Sequence, residues 1–289
     1  MAEVSRQALP TIEDASCPSA GDGKVKKTVW FGSGMIAYLK TEISLEHADI
    51  PIVATSIVSG LCDSGAFNAW SVFVCMQTGN TIFLALGASG QPITAPYQWL
   101  KGLVSIFFFL FGCFCFSQAR HLDARCRGTL TGSFIIQASC IFVAAALVQS
   151  RVVPEPKGVV TDDNSTVRWI ELLPIGFLAF QAGGQITTSR LLGYNEVPTI
   201  VLTSVYCDLA SDPNLLASFG RNVKRNRRLV AAAGLILGGI IGGWLSRSSA
   251  GMSTGLWLAG AIKILIAVAW AAWRGKQKGT IESSNSISG

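Results

Sequence analysis

The chain has 289 residues, of which 50% are hydrophobic and only 14% charged, and its mean hydropathy is +0.45. Soluble globular domains carry charge on about a quarter of their residues, so this composition excludes a soluble domain and implies an integral membrane protein. The formal net charge of +6 must then be explained by where the cations fall between apolar segments.

Residues 1–50 form a polar tail with Pro10, Pro18, Gly21, Gly23, Lys24, Lys26 and Lys27. It lacks the short apolar core and small-residue cleavage site of a signal peptide, so an uncleaved, disordered cytoplasmic tail with an interfacial segment is expected. Windows of about 20 apolar residues then predict six spans. In chain order they are Pro51 to Cys75, Trp99 to Gln118, Thr129 to Gln149, Trp169 to Thr188, Leu229 to Leu245 and Thr254 to Trp273. Residues 51–150 thus make a first three-span half and residues 169–273 a second. Residues 151–168 are the loop between them, and residues 274–289 a second cytoplasmic tail.

Trp99, Trp169, Trp257, Trp270 and Trp273 lie near span ends, where an amphipathic ring prefers the headgroup layer. Sixteen Lys and Arg fall on one side of this topology, against Arg151, Lys157, Arg168 and Arg247 on the other, so both termini are expected to be cytoplasmic. The run Arg221 to Arg228 is then a topology anchor, with contact to anionic lipid headgroups as the lesser alternative, and no nucleic-acid partner is expected. Asn164-Ser165-Thr166 in the outer loop matches a glycosylation acceptor on the correct side. The eight cysteines show no metal-ligand or disulfide framework spacing, and no cofactor is expected.

Two stretches, Ile52 to Gly87 and Trp169 to Ala210, are apolar but interrupted by small and polar residues. At about 1.5 Å per residue an unbroken helix of either length would exceed the roughly 30 Å hydrocarbon layer, so each is expected to bend, unwind or re-enter. In the first, Gly60-Leu61-Cys62-Asp63 and Asn68 precede Thr78-Gly79-Asn80-Thr81. In the second, Gln181, Gly183, Gly184 and Gln185 precede Thr203-Ser204 and Asp208. Two spans follow each, and three spans is an odd number, so a related second half must enter from the opposite face. The expected architecture is an all-α membrane protein of two inverted three-helix repeats with discontinuous first helices.

Gly60-Leu61-Cys62-Asp63 with Phe67, then Thr78-Gly79-Asn80-Thr81 and Leu84-Ala85-Leu86-Gly87, resembles the YoaK-like family of multi-pass membrane proteins, a domain of unknown function. The cluster around Gln185 with Thr199, Thr203, Asp208 and Leu209 resembles the same family, over about Ile52 to Trp273. Where family members often repeat Thr-Gly in the second half, this chain has Thr203-Ser204. The resemblance implies a membrane fold and supplies no substrate or catalytic residue.

Asp63 and Lys263 sit about midway through the first and sixth spans. Burying an ionisable group there costs about 2.5 to 3.5 kcal/mol on insertion scales, so each is expected to face a partner or a wet cavity. A direct Asp63–Lys263 ion pair or a proton-coupled site is the expectation, against snorkelling of the lysine and simple capping by the aspartate. Asn68, Thr78, Asn80, Gln181, Gln185 and Thr203 are further candidates for a substrate or ion, or else repair the backbone of broken helices. Gly234, Gly238, Gly239, Gly242 and Gly243 give the fifth span small-residue faces for packing within the bundle, with homodimerisation as a second use. His47 and His121 join no nucleophile, and hydrolytic catalysis finds no support. The sequence points to a transporter or permease for a small molecule or ion, with lipids as its surroundings. A membrane-embedded enzyme for an apolar substrate and a noncatalytic assembly subunit are the alternatives.

Overall fold

The computed structural model describes residues 31–91, 97–153, 169–194, 202–249 and 251–276. Among them no β-strand forms, and nine α-helices carry the chain. They are α1 (Phe31–Leu39), α2 (Asp49–Trp70), α3 (Gln77–Ala88), α4 (Gln98–Ser117), α5 (Arg127–Gln149), α6 (Leu172–Leu191), α7 (Leu202–Ala210), α8 (Val223–Arg247) and α9 (Gly251–Ala271). Asn164 and Thr199 lie outside the described residues.

Five helices, α2, α4, α5, α8 and α9, are long and apolar enough to cross a membrane. α6 has 20 residues but is less apolar, since it carries Gln181, Gln185, Thr187, Thr188 and Ser189. Four of these, Gln181, Gln185, Thr188 and Ser189, are buried, so the polarity of α6 points into the protein. α3 and α7 have 12 and 9 residues, too short to cross at about 1.5 Å per residue.

Both interrupted stretches break after a long helix. α2 runs unbroken through Asp63 and ends at Trp70, because Ser71 turns left-handed (φ 54°) and donates its N–H to the Phe67 carbonyl at 2.9 Å. α6 ends at Leu191 with a right-handed Leu192, and the chain turns left-handed one residue later at Gly193 (φ 86°). The fifth predicted span begins earlier than its apolar residues suggest. Asn222 accepts the Arg225 N–H at 3.0 Å, and this cap makes helix of the basic run from Val223 onward.

The long helices pack as three pairs, α2 on α8, α4 on α6 and α5 on α9. α2 and α8 run parallel, with contacts rising together from Asp49–Arg227 through Ile57–Gly238 to Ser64–Gly242. α4 and α6 also run parallel, from Lys101–Glu171 to Phe116–Gly184. α5 and α9 run antiparallel, from Gln149–Trp257 to Phe134–Trp270. Glycines bring two of these pairs to backbone contact. A Cβ on Gly60 would strike Leu235, Gly238 and Gly239, and one on Gly183 would strike Phe109, Gly112 and Cys113. Gly239 and Gly243 face away, with nothing within 4 Å of where a Cβ would stand.

One end of the bundle is basic and is strapped by residues 38–48. Ile43 and Ser44 donate backbone N–H groups to the Arg125 and Arg274 carbonyls at 3.0 and 2.9 Å. Buried Arg127 donates to the Tyr38 and Trp273 carbonyls and stacks 3.8 Å over the Tyr38 ring.

Candidate functional site

Two apolar clusters fill the interior. One gathers Val58, Leu61, Ile141, Leu178, Leu256 and Ala259 with their neighbours. The other, nearer the basic end, gathers Ile52, Leu130, Phe134, Leu192 and Ile266. Between them in all four helices stands a polar layer: Thr55 and Ser59 on α2, Gln137 on α5, Gln185 on α6 and Lys263 on α9, all buried.

Lys263 is the centre of this layer and is fully buried. Its Nζ donates to Gln137 Oε1 at 2.6 Å and to Gln185 Oε1 at 2.8 Å, and lies 5.1 Å from the Phe134 ring centroid. The two carboxamides are fixed in turn. Gln185 Nε2 donates to Ser59 Oγ at 2.8 Å and to the Thr55 carbonyl at 3.3 Å, while Gln137 Nε2 donates to Ser133 Oγ at 3.1 Å. With their amide nitrogens committed, both oxygens must point at the ammonium. Lys263 therefore does not snorkel.

The direct ion pair expected between Asp63 and Lys263 does not form. Asp63 Oδ1 instead accepts the backbone N–H groups of Val74 and Cys75, each at 2.8 Å. The segment between α2 and α3 folds back into the protein, burying Val72, Val74 and Cys75, and its unpaired amides need an acceptor there. The carboxylate eleven residues earlier supplies one, which is the capping role in a reversal rather than at a helix start. Asp63 stands one helical turn beyond Ser59, the serine that Gln185 holds, so the carboxylate lies one turn from the polar layer rather than in it. Asp63 Oδ2 and both carboxamide atoms of Gln181 are buried with no hydrogen-bond partner among the described residues. Gln181 stands one turn from Gln185 on the same face of α6.

Asn80 belongs to a second cluster that repairs the same reversal. Its Oδ1 accepts the Phe73 N–H at 3.1 Å and its Nδ2 donates to the Phe73 carbonyl at 2.6 Å, so one side chain replaces a missing backbone partner twice over. Ser105 Oγ donates to the same carbonyl at 2.8 Å, and Gln77 Nε2 donates to the Val74 carbonyl at 3.0 Å. Gly79 has an ordinary backbone here; the Phe73 ring lies 2.8 Å from where its Cβ would be, and this closeness requires glycine.

Of the candidates read from the sequence, Asp63, Gln181, Gln185 and Lys263 are buried in the bundle and Asn80 is buried beneath α3. Asn68, Thr78 and Thr203 are exposed and join neither cluster. Gln137, Ser59, Gln77 and Ser105 complete the two clusters and escaped sequence reasoning. Gln137 carried a usable signal, as the one amide midway through an otherwise apolar third span.

No curated protein and no solved structure matches the chain. A family model described as "Protein of unknown function (DUF1275)" matches residues 52–269. Its extent is close to that of the resemblance read from the sequence, and its description does not carry that family's name. Covering three quarters of the chain and the whole of the buried polar layer, that match assigns this protein to the family of proteins of unknown function DUF1275.

Proposed function

We propose that the protein is a six-span permease for a small polar molecule or ion, built from two inverted three-helix repeats, with the basic end and both termini in the cytoplasm. The observation that carries the reading is Lys263, fully buried between two apolar clusters and held by two carboxamides rather than by a carboxylate. An ammonium at such depth is costly to keep, and a midplane site between repeats is the usual reason for keeping one. The open valences one helical turn from that layer, Asp63 Oδ2 beyond Ser59 and the Gln181 carboxamide beyond Gln185, offer acceptors and a donor to a small polar solute.

The repeat has support from packing. Moving Ile57 and Gly60 by 123 residues gives Phe180 and Gly183, and moving Leu235, Gly238 and Gly239 back by 126 gives Phe109, Gly112 and Cys113. These are the partners that meet in the α2–α8 and α4–α6 crossings. The same shift of 126 relates Gln137 to Lys263, so these bonded residues are counterparts across the α5–α9 pair. In this reading α6 is the fourth of the six spans, its polar face hidden against α2 and α5.

Vesicles containing the purified chain, exposed to a cellular metabolite extract under imposed proton or sodium gradients, should accumulate at least one solute. A Lys263→Gln variant with unchanged thermal unfolding should lose that accumulation at least tenfold. If no solute enters under any gradient, or if Lys263→Gln accumulates it normally, the permease reading is wrong.

A further inference from the structure

α2 and α8 meet backbone to backbone at Gly60, Gly238 and Gly242, whereas at Gly234, nearer the basic end, the first atom met is in the Ile57 side chain at 3.3 Å. Toward that end the two helices line a groove of about 550 Å³, within the range of ligand sites. Its walls are apolar, formed by Val53, Ala54, Ile57, Val230, Gly234 and Leu237, and the Arg227–Asp49 ion pair stands at its mouth at 2.8 Å.

The corresponding wedge between α4 and α6 is already filled. Residue 234 corresponds by the shift of 126 to Phe108, whose ring lies 3.1 Å from where a Cβ on Gly176 would stand. Arg227 corresponds likewise to Lys101, which pairs with Glu171 at 2.5 Å. Each crossing thus ends in an ion pair above a wedge. One half fills its wedge with its own aromatic ring, and the other, with glycine at that place, leaves it open. An apolar group is therefore the occupant the site is shaped for. Lys224, exposed, stands one turn before Arg227 on α8, and Arg221 is exposed just ahead of that helix, so the end of α8 bordering the groove carries cations beyond the Arg227–Asp49 pair. A groove open to the bilayer with a cationic rim is complementary to a lipid of negative headgroup.

We propose that this groove binds one anionic phospholipid from the leaflet at the basic end, an acyl chain lying along Ala54 and Gly234 and the phosphate beside Lys224 and Arg227. The inference borrows the correspondence of the halves but needs no transported solute, so its failure and that of the permease reading are separable.

The test is native mass spectrometry of the full chain in detergent, titrated with dioleoyl phosphatidylglycerol and, in parallel, dioleoyl phosphatidylcholine. The wild type should retain one phosphatidylglycerol with at least tenfold preference over phosphatidylcholine. Gly234→Phe, which copies Phe108 into the groove, should weaken that binding at least tenfold, and so should Val230→Trp, which fills it from an exposed position. Lys224→Glu should abolish the preference while leaving chain binding. The inference is overturned if the wild type carries no lipid, if either filled variant with wild-type thermal unfolding binds as the wild type does, or if the groove's mass partner is a second copy of the chain.

Discussion

Asp63 and Lys263 show how a buried ionic group can be stable in this chain without an ionic partner. Asp63 spends one oxygen on two backbone N–H groups of the α2–α3 reversal, at 2.8 Å each. The geometry separates the carboxylate's charge from its role as acceptor. Asp63→Asn keeps an oxygen for Val74 and Cys75, so it should fold with thermal stability near that of the wild type. Asp63→Leu leaves two buried donors unsatisfied, and each costs about 1 to 3 kcal/mol. A thermal melt in detergent distinguishes them, and equal losses in the two variants would show that charge rather than acceptance holds the reversal. Depth was legible at both residues from the apolar runs around them. Their mutual pairing was not, because a sequence does not reveal that an unpaired backbone segment will return to claim the carboxylate.

At the scale of elements, the reversal between α2 and α3 concentrates the polar chemistry of the first half. The sequence marks it through Thr78-Gly79-Asn80-Thr81, yet the residues do other work than that motif suggests. Asn80 clasps both backbone groups of Phe73, and Gly79 makes room for the Phe73 ring, which also stacks on Phe67 at 4.9 Å. Thr78 faces outward. Asn80→Ala should therefore free the Phe73 N–H and carbonyl, with only Ser105 still bonded to the latter. Amide hydrogen exchange of residues 71–88 should rise by at least tenfold, since about 1.4 kcal/mol lost from local opening corresponds to that factor. The exchange of residues 41–48 at the basic end, whose buried Ile43 and Ala48 belong to the other apolar cluster, should stay unchanged; a uniform rise across the whole protein would point instead to global destabilisation. Helix ends were less legible than helix existence. α8 starts at Val223 because a capping Asn222 outweighs the polarity of the run behind it, and α6 was found although buried amides dilute its apolar signal.

In the whole molecule, close backbone approach at glycine sets the packing of two of the three helix pairs. Counting glycines in the fifth span indicates that close approach will occur, but not toward which neighbour, because overlapping spacings put small residues on more than one face. The structure separates them: a Cβ on Gly238 or Gly242 would meet the backbone of α2 at Ile57 or Leu61, whereas one on Gly239 or Gly243 would point away and meet none of the described residues within 4 Å. Gly183 makes the equivalent inward contact between α6 and α4. A methyl group added at Gly238 or Gly183 lands on a carbonyl of the facing helix, which cannot rotate away as a side chain could. Such overpacking costs about 1 to 3 kcal/mol. Gly238→Ala and Gly183→Ala should each lower the thermal unfolding midpoint by comparable amounts, since the two crossings are built alike. Gly239→Ala and Gly243→Ala should change stability by no more than about 0.5 kcal/mol, as substitutions away from such features do. Four melts under one detergent condition are enough. If the outward pair proves as costly as the inward pair, then α8 also packs through its outer face, and the chain works as an assembly of copies rather than as the single bundle described.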